Sequence, residues 1–277
     1  LMNFLFSTNK RSYPSMTNHE LREAFLTEPL FTPGALSLTY TDVDRAVIGG
    51  AMPLSESIEI PTHKELAADY FCERRELGII NIGGKGAVEV DGETYDMAMK
   101  DSLYVSRGSK NVVLSSVDAN SPAKFYMISY PAHRITKTVY VPKSDAKKIE
   151  LGSQETSNER TIFQSIRPGI VDSCQLVMGI TELKSGSVWN TKPPHTHFRR
   201  TEIYMYFELE QSERVFHMLG EPKEVKTLPL APEVAIASPS WSIHSGVGTT
   251  NYSFIWAMGG ENQEFDDMDH IEISALS

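Results

Sequence analysis

From about residue 70 to residue 130 the chain alternates short apolar runs with tight glycine- and aspartate-bearing turns, and this rhythm constrains the fold more than any other feature. Gly83-Gly84-Lys85-Gly86 and Asp91-Gly92 are hairpin signals. Val88, Val90, Tyr95, Leu103, Tyr104, Val105, Val112, Val113 and Leu114 supply the apolar positions between turns. Short strands at such spacing predict a sandwich or barrel. Upstream, Leu36–Tyr40 and Ala46–Gly50 also read as strands. A second run of the same texture begins near Ser173, turns at Ser185-Gly186, and continues through Ile203–Phe207, Val215–Leu219, Val234–Ala237 and Tyr252–Met258. Between the two runs, Pro131-Ala132-His133 to Pro142-Lys143 is polar, interrupted by prolines, and reads as a linker. The expectation is an all-β chain of two barrels, residues 1–140 and 141–277, related by structural duplication rather than by a sequence repeat. Helix is scarce. Residues 17–26 are the clear case, with Thr17 or Asn18 as cap, Glu20 in the first turn, and Leu21, Phe25 and Leu26 as the apolar stripe.

The chemistry concentrates in Pro193-Pro194-His195-Thr196-His197-Phe198-Arg199-Arg200-Thr201-Glu202. Side chains on a strand alternate in direction, so His195 and His197 face the same way. Two imidazoles and a carboxylate suit a divalent metal of the zinc, iron, manganese or nickel kind. Glu202 lies at an odd offset from both histidines, so an uninterrupted strand turns it away. A bend or bulge between Phe198 and Thr201 is expected to bring it back. The fourth ligand is His244, which follows the turn Ser238-Pro239-Ser240-Trp241 at the start of a strand. Adjacent antiparallel strands inside a barrel place it opposite the His195/His197 pair. The first half carries no H-x-H; His63 and His133 stand alone, and that barrel reads as metal-free.

The pattern H-x-H-x4-E with a distant histidine resembles the metal site of the cupin superfamily. It departs from the general cupin pattern at Leu209 and Trp241, where glycines are expected, and at Gly248, where an asparagine is expected. Three longer stretches resemble the 5-keto-4-deoxyuronate isomerase (KduI) family more closely: Arg74–Gly84, Pro239–Gly248 and Gly260–His270. The resemblance implies two cupin-like barrels with a few short helices. It also implies an aldose–ketose isomerase converting 5-dehydro-4-deoxy-D-glucuronate to 3-deoxy-D-glycero-2,5-hexodiulosonate in pectin and uronate degradation. One Zn2+ per subunit held by His195, His197, Glu202 and His244, a homohexamer, and a place in the cytoplasm follow from the same likeness. Three histidines and a glutamate also suit an iron or manganese cupin dioxygenase, or a sugar-binding cupin without turnover.

An isomerisation of this kind needs a Lewis acid or donor at the carbonyl and a base that moves a proton between adjacent carbons, unless hydride shifts directly. The candidates for catalysis are Glu202, His217 and Tyr206, with Tyr204 and the acidic group Asp266, Asp267 and Asp269 beside them. The substrate carries a carboxylate, which arginine binds with two parallel hydrogen bonds. Arg160, Arg199 and Arg200 are the candidates; on one strand Arg199 and Arg200 point to opposite faces, so at most one of those two reaches the cavity.

The formal net charge is −10, which argues against a nucleic-acid partner. No apolar run approaches the roughly 18 residues of a membrane span. The opening Leu1-Met2-Asn3-Phe4-Leu5-Phe6 is short and lacks a basic start, so no signal peptide is expected, and the leading Leu1 reads as a non-native remnant. Cys72 and Cys174 lie in strand-like runs and are expected to be buried free thiols in a reducing compartment.

Overall fold

A computed structural model describes residues 2–277; Leu1 lies outside the described residues. The chain builds two seven-stranded sheets, each facing a four-stranded one. In the first large sheet, Leu36–Thr41, Val47–Ala51, Phe125–Pro131, Arg75–Asn81 and Ser102–Val105 are consecutive neighbours; in the second, Arg160–Ile166, Val177–Leu183, Ser253–Gly260, Arg200–Phe207 and Ala235–Ser238 follow in the same spatial order. The small sheets match as well: Ile58–Glu59, Val112–Ser116, Gly86–Val90 and Glu93–Met97 against Trp189–Asn190, Ile243–Gly248, Val215–Gly220 and Lys226–Leu230. The duplication absent from residue identities is present in topology.

The closing edge strand differs between the halves. Val139–Val141, inside the expected linker, pairs with Ser102–Val105 of the first sheet. The matching edge of the second sheet is Leu26–Thr27, which pairs with Ala235–Ser238. Leu26–Thr27 follows the helix Asn18–Phe25, whose Thr17 and Glu20 form a reciprocal capping box. Leu21, Phe25 and Leu26 pack among the second barrel's buried residues, so the amino-terminal segment plugs the far half of the molecule.

The two large sheets stack back to back. Ile80, Tyr126 and Ile128 from one share a buried cluster with Ile166, Met178, Ile180, Ile203 and Ala257 from the other. At Gly78 the approach is so close that a Cβ would stand 2.7 Å from Leu176 Cδ2 and 2.8 Å from Met178 Sδ. Glu76 spans the same interface, accepting from the backbone N–H groups of Cys174, Gln175 and Leu176 at 2.7–2.8 Å and from Tyr104 Oη at 2.8 Å. A carboxylate satisfied by four donors is a tolerable buried group. All residues of Arg75–Asn81 and of Arg200–Phe207 are buried, because one face lines a barrel and the other the interface. Such strands carry no in–out alternation.

Two local expectations change. Gly83–Gly86 is not a hairpin: it carries the chain from Arg75–Asn81 in the large sheet to Gly86–Val90 in the small one. Its glycines are required by close approach, since a Cβ on Gly84 would overlap the Ser121 carbonyl. Asp91-Gly92 does close a two-residue hairpin, with φ of 51° and 89°. Cys72 is buried as expected, but in a short 3-10 turn, and Cys174 is only half-buried in a bend before its strand begins at Val177. Both thiols are free.

Candidate metal centre and cavity

The second barrel holds one buried group of four potential ligands, His195, His197, Glu202 and His244, whose ligand atoms all lie within 4.8 Å of one another. The route to this arrangement differs from a single bulged strand. His195-Thr196 forms a short strand paired with Asp269-His270; the chain then turns through Phe198 and Arg199, with Arg200 N–H donating to the His197 carbonyl at 2.9 Å, and a new strand begins at Arg200. A turn, rather than a bulge, reverses the parity. His244 is not paired with the His195 strand: its neighbours are Trp189–Asn190 and Val215–Gly220 in the small sheet. Glu202 comes from the large sheet, and the site bridges the two walls of the barrel.

The hydrogen bonding asks for a cation. His197 Nδ1 donates to the Arg200 carbonyl at 2.9 Å, which leaves the Nε2 lone pair facing Glu202 Oε2 at 2.9 Å. His244 Nε2 lies 2.7 Å from that same oxygen and 3.1 Å from His195 Nε2. Converging lone pairs and a carboxylate repel unless a proton or metal ion sits among them, so the donor set fits a divalent metal. Burial and the neighbouring His244 hold His195 well below the usual imidazole range. Burial is the largest influence on His197 and opposes its charge, but the hydrogen bond and negative charge of Glu202 together with the Arg200 carbonyl outweigh it and raise this histidine. Desolvation works to raise Glu202, yet His244 and His197 together drive it below the ordinary carboxylate range, so it stays ionised.

By strand order and register, Leu77 and Val112 of the first barrel hold the places of Glu202 and His244. Both are core residues, and among the described residues the four grouped potential ligands all come from the second barrel. His63 and His133 do not line the cavity described next.

A cavity of about 380 Å3 opens beside the four ligands, reaching His195 and Glu202. One wall is apolar, built by Ile162, Phe254, Trp256, Met258 and Phe265. Its polar groups include Arg160, Lys192, Tyr204, Asp266 and His270. Of the three candidate arginines only Arg160 lines it; its Nη1 donates to the Asn158 carbonyl at 2.9 Å. Arg199 is held outside, bonded to Asp267 through Nη2 at 2.5 Å and to Asp269 at 3.1 Å. Arg200 is fully buried, donating from Nη2 to the Asp267 carbonyl at 2.8 Å. Asp267 and Asp269 therefore clasp the 261–270 segment to the turn between His197 and Glu202, and Asp266 alone of the acidic group faces the cavity.

Tyr206 and His217 lie beneath the cavity rather than on its wall. They bond each other, Tyr206 Oη to His217 Nδ1, at 2.7 Å, and both are fully buried. Tyr204, one turn of alternation earlier, does reach the wall, with its hydroxyl 2.8 Å from Thr191 Oγ1. His270 and Lys192 were not singled out from the sequence. Their one legible signal is position: Lys192 immediately precedes the Pro193-Pro194 pair, and His270 ends the stretch Gly260–His270.

These features match known proteins in both sequence and shape. The model of the KduI/IolB family matches residues 29–273. The chain belongs to the KduI/IolB family. A KduI/IolB relative from Lachnoclostridium phytofermentans, named 4-deoxy-L-threo-5-hexosulose-uronate ketol-isomerase, is 50% identical over 260 residues, 94% of each chain. Another, from Enterococcus faecalis and named 4-deoxy-L-threo-5-hexosulose-uronate ketol-isomerase 2, is 50% identical over 99% of this chain and 100% of its own. Among solved structures, an IolB-like protein from Salmonella typhimurium LT2 superposes with a TM-score of 0.66 at 10% identity, covering 82% of this chain and 87% of that one. That likeness shows a shared fold alone.

Proposed function

We propose that this protein is a zinc-dependent aldose–ketose isomerase that converts 5-dehydro-4-deoxy-D-glucuronate to 3-deoxy-D-glycero-2,5-hexodiulosonate. The observation that carries the reading is the cavity whose lining includes both Arg160 and two of the four converging residues, His195 and Glu202. That pairing suits a substrate with a carbonyl at one end and a carboxylate at the other. The curated relatives, named as ketol-isomerases of the same hexosulose-uronate, support it.

In this reading His195, His197, Glu202 and His244 hold one zinc ion per subunit. When bound, such an ion would supply Lewis acidity for the substrate carbonyl. Arg160 binds the carboxylate, and its bond to the Asn158 carbonyl fixes the guanidinium before substrate arrives. Phe254, Trp256 and Phe265 exclude water from the reacting carbons. The proton passes between adjacent carbons by way of Asp266 or His270, which line the cavity and are not among the four ligands. Glu202 serves as a ligand, and Tyr206 and His217 act from below without touching substrate. The two barrels, divided near residue 141, act as one unit, with only the second carrying chemistry. The enzyme works in the cytoplasm as a homohexamer, downstream of the lyases that release unsaturated uronates from pectin.

Stripping metal with a chelator and restoring zinc tests this directly. Loss of the aldehyde signal by NMR should stop on stripping and resume on zinc addition; conversion that persists at full rate in metal-free protein contradicts the reading.

A further inference from the structure

Two buried imidazole nitrogens in the second barrel have no protein partner: His244 Nδ1 and His217 Nε2. The register brings them to one face. His217 pairs with Gly246, and His244 precedes Gly246 by two residues on the same strand, so both rings project into the barrel. Both stand edge-on to Tyr204, His244 at 5.4 Å and His217 at 6.0 Å between ring centroids.

A histidine that ligates through Nε2 carries its proton on Nδ1, and that N–H is almost always given to an acceptor which fixes the ring. His197 has such an acceptor in the Arg200 carbonyl. His244 lacks one among the protein groups around it. His217 is built to supply it. Its Nδ1 lies 2.7 Å from Tyr206 Oη, and the tautomer that donates from Nδ1 leaves Nε2 as an acceptor. Tyr206 is in turn seated by Gly246, where a Cβ would stand 2.7 Å from the tyrosine oxygen. We propose that His217 is the positioning residue behind His244, receiving its Nδ1–H through one bound water and so holding the ring in its ligating orientation. Such a water has two polar partners, within the range of two to four that buried waters make.

This inference rests on the metal-centre reading, and zinc affinity separates the two. Competition with a chromophoric chelator, on the whole purified protein, compares the parent with His244→Ala, His217→Phe, His217→Gln and Tyr206→Phe. The parent should bind one zinc and His244→Ala should lose it. His217→Phe should bind about 10- to 100-fold more weakly, and His217→Gln, whose amide oxygen accepts, should recover much of that loss. Tyr206→Phe frees the tautomer and should weaken binding several-fold, which decides the matter where His217→Phe fails to fold. A parent that binds no zinc overturns the metal centre itself. A parent that binds zinc, with folded His217→Phe or Tyr206→Phe equal to it, overturns the role of His217 alone.

Discussion

Glu202 Oε2 lies 2.7 Å from His244 Nε2, although the glutamate belongs to the large sheet of the second barrel and the histidine to the small one. The contact joins the two walls, so the site depends on the barrel closing. Replacing His244 with alanine should abolish stoichiometric zinc while leaving circular dichroism unchanged, because the surrounding apolar cluster remains. His63→Ala and His133→Ala should retain zinc and keep turnover within about threefold, less than the roughly 1.4 kcal/mol that marks a tenfold effect. Elemental analysis of the three proteins, with rates, checks both statements.

Arg160 is the arginine on the cavity wall, while Arg199 is occupied by Asp267 and Asp269. A charged hydrogen bond is worth roughly 1.5–3 kcal/mol. Arg160→Ala should therefore raise KM by about 10- to 150-fold. Arg199→Ala should change KM far less and instead loosen the 261–270 segment, read as faster amide exchange there. Steady-state kinetics that rank the two variants the other way would assign the clamp wrongly.

The sequence made the β architecture and the gathering of His195, His197, Glu202 and His244 into one group that could hold a metal legible, because hairpin chemistry and side-chain type are local properties. Strand parity required a break between Phe198 and Thr201 and the structure has a turn there, but the clasp of Arg199 to Asp267 and Asp269 beside it joins residues far apart along the chain and was not legible. Gly83–Gly86 looked like a hairpin because glycine marks both tight turns and close backbone approach; only the neighbouring Ser121 carbonyl shows which applies. Tyr204 and Tyr206 share a face by alternation, yet Tyr204 reaches the cavity and Tyr206 ends over Gly246. Depth within a barrel is not encoded in period. Nor did the sequence show the back-to-back sheets, whose continuous burial in Arg75–Asn81 and Arg200–Phe207 erases the alternation that a solvent-facing sheet displays.

Gly78 tests that interface. Alanine there places a methyl against Leu176, Met178 and Ile166 at 2.7–3.0 Å. Overpacking of this kind costs about 1–3 kcal/mol. Gly78→Ala should lower the urea midpoint of unfolding with an unchanged slope and leave zinc stoichiometry at one. An unaltered midpoint would mean that the sheets do not meet there as closely as described.

His217 makes the zinc-free protein acid-sensitive. Burial lowers its pKa to about 3 in the folded state, against about 6.5 when unfolded. Between these values the unfolded chain binds the extra proton, so this contribution is complete above about pH 6.5 and is lost as pH falls toward 3, with a limiting slope near 1.4 kcal/mol per unit. The stability difference between parent and His217→Phe, from urea titrations at several pH values without metal, should move against the parent as pH drops through that window. A difference independent of pH would show that His217 is not buried neutral.

The chemistry itself gives the most direct test. Protein loaded with zinc alone and held under strict anaerobic conditions should convert 5-dehydro-4-deoxy-D-glucuronate to the 2-keto product, seen by NMR as loss of the aldehyde and gain of a second ketone at unchanged mass. No anaerobic turnover with zinc, and activity only after iron and oxygen are supplied, would contradict the isomerase account and place the protein among oxygen-dependent cupins.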